Sequence, residues 1–205
     1  ISAGILHVRK TMSFAEAGVK SMMPAILILT LAWTLGAITE SLGTAEYLAA
    51  LSQGNIMPAF IPTIVFVLAA GIAFSTGTSW GTMSILYPVV LVTSWNICAA
   101  EGLDVAASMN IFANVVSAVL AGSVLGDHCS PISDTTILSS LASGSNHIDH
   151  VRTQIPYALT VGLVAVLIGT LLSGLGLHPM IALLLGLGSL IGIVELFGKR
   201  AEDPA

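Results

Sequence analysis

Apolar residues run through this chain in long blocks, and the polar interruptions between them predict its elements. Residues 22–39 are apolar and end at Glu40. No charged residue then occurs from Tyr47 to Ala100. That stretch is too long for one bilayer crossing of about 20 residues and long enough for two. It divides at 75–82 into apolar halves 57–74 and 83–100. A further uncharged block covers 105–126, a short mixed segment covers 132–143, and two more blocks cover 155–175 and 179–197. The pattern predicts six crossings and one short segment. At about 1.5 Å per residue, 132–143 cannot cross a hydrocarbon core of about 30 Å, so it is expected to be re-entrant or a half-helix.

Charge gives the layout a direction. With the N-terminus inside, Arg9, Lys10, Lys20, Arg152, Lys199 and Arg200 all fall on the inner side, and the outer loops 40–56, 101–104 and 177–178 carry no Lys or Arg. This is the positive-inside distribution, with both termini cytoplasmic. The chain thus reads as one unit, 1–205: a cytoplasmic segment 1–21, a membrane region 22–198 and a cytoplasmic tail 199–205.

Composition agrees. Charged residues make up 8% of the chain and apolar ones 55%, whereas a soluble domain carries about 25% charge. Mean hydropathy is +0.95. The expected class is an all-α membrane protein, because lipid leaves backbone groups no partners outside the helix itself. A net charge of −5 with six basic residues excludes a general nucleic-acid binder. Cys98 and Cys129 are too far apart in sequence for a zinc cluster or disulfide framework and read as small buried side chains. Gly162, Gly169, Gly174, Gly176, Gly186, Gly188 and Gly192 read as close-packing marks on the last two spans. The chain starts at Ile1 with no secretory-signal pattern and is read as a piece of a longer protein.

Two segments break the apolar, helical rule. In 75–82, Ser75, Thr76, Thr78 and Ser79 with two glycines offer hydroxyls and released carbonyls, the oxygens a small hard cation needs. The same residues also suit a plain turn that caps two helix ends. In 126–136, Pro131 must end a helix, and Ser133 and Asp134 suit the start of a new one. Asp127 and Asp134 are acids in or beside the membrane, where an ionisable group is a functional candidate by default. One carboxylate can hold a proton or Na⁺ but not both. The alternative places both acids at the cytoplasmic water interface. Ser130 and Thr135 flank the proline and add oxygens. Asn110 and Asn114, one helical turn apart, either supply amide oxygens or hydrogen-bond between helices, and Ser117 and Ser123 continue the polar character of that span. His128 is a candidate for substrate contact or pH sensing. So are His147 and His150 around Asp149, which read otherwise as a polar loop, since three such residues in four are a weak metal signal.

The segments 74–82, GDHCSPISDTT at 126–136 and NHIDHVRTQIPYA at 146–158 resemble the NhaC-type Na⁺/H⁺ antiporter family of the ion transporter superfamily. The resemblance runs the length of the chain, and the second segment is its most specific part. It implies a secondary transporter that exchanges Na⁺ for H⁺ across a bacterial or archaeal plasma membrane by alternating access and serves pH homeostasis. It also implies an inverted-repeat architecture of which this chain is the C-terminal half, with the N-terminal half as its missing partner. Transported Na⁺ would bind at Asp127 and Asp134, no cofactor is expected, and a homodimer is one assembly open to it. Some family members are similar to organic-anion or amino-acid exchangers of the malate/lactate kind, which keeps that alternative in view.

Enzymatic activity is not expected. A hydrolase using Cys129 or Ser130 with His128 would need a nucleophile and base brought together by the fold, and sequence neighbours rarely form such a pair. No G-x-S-x-G elbow is present. A channel stays open as a third class, since broken segments also build filters.

Overall fold

The computed structural model describes residues 8–43, 47 and 56–198; within these, the side chains of several residues between 21 and 40, of Asp134 and of Leu141 lie outside the description. All described regular structure is helical. Helix α1 is Val8–Ser41, and a single 3₁₀ turn at Pro58–Phe60 leads into α2, Ile61–Thr76. Then come α3 at Ser79–Ala100, α4 at Val105–Cys129 and the short α5 at Asp134–Ala142. Helix α6, His147–Val164, continues as π-helical turns at Ala165–Leu172, and α7 is Pro179–Phe197. Five of these helical stretches are long and apolar enough to cross a membrane: Pro58–Thr76, α3, α4, His147–Leu172 and α7. They correspond to the expected second to sixth spans. The expected first span lies inside α1, which begins at Val8 and so absorbs much of the segment expected to precede the membrane.

Three boundaries differ from expectation. The interruption at 75–82 shrinks to Gly77 and Thr78, because Gly77 takes a left-handed φ of 69° and the Thr78 hydroxyl caps α3 by accepting from the Gly81 amide at 3.2 Å. Helix α4 runs past 126 to Cys129, so Asp127 lies in its last turn and not in the break. Residues 147–152, expected as a polar loop, are the first turns of α6. Asn146 caps that helix by accepting from the amides of Ile148 at 3.0 Å and Asp149 at 3.3 Å, and Asp149 favours the positive end of the dipole.

The core is a seam between α2 and α4. Gly122 and Gly126 are one turn apart on α4, and a methyl group at either would strike the backbone of α2, at Phe66 and at Ala70 respectively. Both numbers rise together, so the two helices are parallel. Phe66, Ala69, Val115 and Val119 fill the seam at 2% exposure or less. Helix α3 completes this cluster through Met83, Leu86, Ile97 and Cys98. Cys98 and Cys129 are both buried and free, as expected of small apolar side chains. The α6 stretch runs antiparallel to α2: Ala59 meets Gly174, and the hydroxyls of Thr63 and Thr170 lie 3.0 Å apart. Of the glycines expected to mark close packing, Gly162 meets Leu125 and Gly174 meets Ala59, but Gly169, Gly188 and Gly192 face open space. Gly122 and Gly126, which also approach backbone closely, lie on a helix where glycine packing was not expected. Helix α7 is almost entirely exposed and apolar.

Candidate functional site

The two interrupted segments meet. A Cβ on Gly77 would lie 2.8 Å from the carbonyl oxygen of Ile132, so the α2–α3 turn rests directly on the break between α4 and α5. Parallel packing of α2 and α4 brings both segments to the same end of the bundle. Pro131 has no amide hydrogen and cannot extend α4. The chain instead turns on Ser130, whose amide donates to the Asp127 carbonyl at 3.1 Å and whose hydroxyl accepts from the Ile132 amide at 3.4 Å.

His147 holds this break from the far side. Its Nε2 lies 2.7 Å from the Pro131 carbonyl oxygen, to which it donates, and its Nδ1 lies 3.1 Å from the Ser140 hydroxyl. His150 Nε2 is 3.3 Å from the Ser139 hydroxyl. The two histidines therefore tie α6 to α5 and to the break. Among the described residues, no group of three His, Cys, Asp or Glu side chains gathers to hold a metal ion, so the 147–150 cluster forms no such centre there.

Asp127 is the buried acid of the site. It is 7% exposed, and its Oδ1 has no hydrogen-bond partner. It lies about 15 Å beyond Ser117, the midpoint of α4 (ten residues at about 1.5 Å). A buried polar group without a partner costs about 1–3 kcal/mol, more when charged, so the position asks for a proton, a cation or a further ligand. Asp134 opens α5; its side chain lies outside the described residues.

The other candidates separate into distinct settings. The hydroxyls of Ser75 and Thr76 are exposed and donate to their own helix, at Gly71 (2.8 Å) and Ile72 (2.9 Å). Thr78 is the α3 cap described above, and Ser79 is a half-buried first residue of α3. Ser130 is fully buried at the break. Thr135 is exposed and pairs with the Ser133 hydroxyl at 2.8 Å. Asn110 and Asn114 lie about 25 and 20 Å from Asp127 along α4. They belong to the opposite end, where Asn114 Nδ2 donates to the Ser173 carbonyl at 3.4 Å and Asn110 borders a pocket beside Gly174. The fold does not bring them to the break. His128 is exposed and lines a largely apolar cavity of about 600 Å³ between α4 and α6, together with Gln154 and Tyr157.

Three residues not expected among the ion-binding set stand out, Ser123 having been read only as part of the polar character of α4. Ser123 Oγ, Thr136 Oγ1 and Gln154 Oε1 are, with Asp127 Oδ1, the buried side-chain atoms without a partner among the described residues. Ser123 was findable: it precedes Asp127 by four residues on a continuous helix and so shares its face. Which of the paired threonines 135 and 136 faces inward depended on the α5 register, which the sequence leaves open.

Lipid-length apolar helices, a seam of small residues and a polar break with a buried acid define an integral membrane protein of all-α architecture. The chain belongs to the Na⁺/H⁺ antiporter family, whose model matches residues 2–175. It is 45% identical over 183 residues to a Haemophilus influenzae protein described only as uncharacterized, covering 89% of this chain and 33% of that one. It is 34% identical over 129 residues to an uncharacterized Na⁺/H⁺ antiporter of the same organism, covering 63% of this chain and 25% of the relative. It is also 30% identical over 141 residues to the arginine/ornithine antiporter ArcD of Halobacterium salinarum, covering 69% and 27%. The chain spans a third or less of the length of these relatives. No solved structure matches it. The family and the named relatives are transporters and not enzymes.

Proposed function

We propose that the protein to which this chain belongs is a secondary antiporter that exchanges Na⁺ for H⁺ by alternating access, and that Asp127 is the carboxylate holding either ion. The observation that carries this reading is the buried, unpartnered Asp127 oxygen on the last turn of α4, followed directly by a break that rests on the α2–α3 turn. A carboxylate oxygen that binds the proton is not free to bind the cation, so each ion displaces the other. Discontinuous helices next to an ion site are the usual construction for such exchange. Ser130 and Asp134, at the two sides of the break, are the further residues assigned to the ion path. The remaining part of the protein completes that path, and the termini of this segment face the cytoplasm, where the basic residues gather.

The test is fluorescence dequenching of a pH-gradient dye in everted vesicles carrying the intact protein, with Na⁺, Li⁺ and K⁺ added in turn. Na⁺-driven proton movement that Asp127→Asn abolishes is expected. Undiminished exchange in that variant would remove Asp127 from the mechanism.

A second reading, exchange of an organic anion or amino acid coupled to Na⁺ or H⁺, has two supports. One relative is named an arginine/ornithine antiporter. Another, of Bacillus subtilis, is named a malate-2H⁺/Na⁺-lactate antiporter. Gradient-driven uptake of labelled arginine, malate or lactate, with no Na⁺/H⁺ exchange in their absence, would favour it.

A further inference from the structure

We propose that Ser123 is a direct ligand of the cation that Asp127 exchanges for a proton, an inference that rests on the antiporter reading above. Ser123 is 0% exposed and Asp127 is 7% exposed, and each carries a buried oxygen with no partner. Four residues apart on one helix, the two side chains lie one above the other on the same face. A hydroxyl within an apolar helix has a ready partner, the carbonyl of the preceding turn. Ser75, Ser84, Thr93, Ser117 and Ser189 all use it, at 2.8 to 3.0 Å. Ser123 does not, although Val119 stands one turn before it just as Ala113 does before Ser117. Its oxygen is left without a partner one helical turn from a carboxylate oxygen in the same state.

The chemistry of a hydroxyl suits both states of the exchange. It presents lone pairs to a small hard cation, and the same lone pairs can accept from the carboxyl proton that replaces the cation. The ligand class is therefore a small monovalent cation, Na⁺ or Li⁺, bound by one charged and one neutral oxygen on a single helix turn. Gly122 and Gly126 precede these two residues by one position each and hold that turn of α4 against the α2 backbone.

The experiment is Na⁺ titration of proton movement in everted vesicles carrying the intact protein with Ser123→Ala. The half-saturating Na⁺ concentration should rise about tenfold, the loss of one charge-assisted contact, while the maximal rate stays within about twofold. Ser117→Ala, which removes a hydroxyl bonded to its own helix, should leave both values unchanged. A wild-type half-saturation in Ser123→Ala overturns the proposal. Should that variant fail to reach the membrane, Ser123→Cys keeps the size and substitutes a soft sulfur; the same rise supports the proposal and an unchanged value overturns it. Asp127→Asn silencing exchange while Ser123→Ala behaves as wild type would sink the serine alone. Absence of Na⁺-driven exchange in the native protein would sink the antiporter reading with it.

Discussion

A methyl group added at Gly126 has nowhere to go. Built on the existing backbone, it would lie 2.8 Å from the Phe74 amide nitrogen and closer still to the Ala70 carbonyl. Ordinary contact begins at 3.4 Å, so α2 and α4 would have to part by at least 0.6 Å (3.4 − 2.8) at that point. Both obstacles are backbone, so no rotamer change relieves them. Overpacking of this kind costs about 1–3 kcal/mol. Alanine returns about 0.8–1 kcal/mol of helix propensity, which must be separated out. Gly71→Ala on α2 provides the control, since a methyl there meets nothing within 4 Å. The two variants share the propensity gain and differ by the clash, so Gly126→Ala should be about 1–3 kcal/mol less stable than Gly71→Ala. Thermal unfolding of the purified intact protein, followed by size-exclusion recovery after heating, should show the Gly126 variant melting several degrees lower. Equal or higher stability for Gly126→Ala would refute the close backbone approach of α2 and α4 at this seam.

Other expectations follow from the same geometry. Gly77→Ala places a side chain at a φ of 69° and 2.8 Å from the Ile132 carbonyl, so a loss of about 1–2 kcal/mol from the left-handed conformation alone is expected in the same melting assay. Ser75→Ala and Thr76→Ala should leave Na⁺ half-saturation within about twofold, because each hydroxyl bonds its own helix; vesicle titration checks this. His147→Ala removes both contacts to Pro131 and Ser140. It should free the break by about 1–3 kcal/mol and speed proteolysis between α4 and α6 in membranes. Cys98 and Cys129, at 1% and 6% exposure, should resist a membrane-permeant maleimide until the protein is denatured, as mass shift after labelling would show.

The spans were legible because lipid imposes a length and a polarity that few other constraints can imitate: a crossing needs about 20 apolar residues, and the blocks supply them. Pro131 announced the break for an equally simple reason, the missing amide hydrogen. The ends were harder. Residues 147–152 are polar and look like a loop, yet Asn146 and Asp149 form a helix-start signature that outweighs their polarity. The α2–α3 turn, rich in Ser and Thr, looked like a long interruption. Its hydroxyls satisfy themselves against helix carbonyls, so only Gly77 and Thr78 leave the helix. Asn110 and Asn114 were chemically suitable but sit on a helix that runs unbroken to Cys129 and carries them to the other end. Reading a site from residue types finds the right atoms; only the helix register tells which of them share a turn. Ser123 and Asp127 were one turn apart from the beginning, and what the sequence could not show was that both face inward without partners.

The central claim is that one carboxyl group binds either a hydrogen ion or a sodium ion. Proton release on Na⁺ addition to the purified intact protein in weakly buffered detergent solution, read with a pH indicator dye, tests it without any transport step. The native protein should acidify the medium saturably with Na⁺, and the Asp127→Asn protein should not. Equal proton release from both would contradict the account.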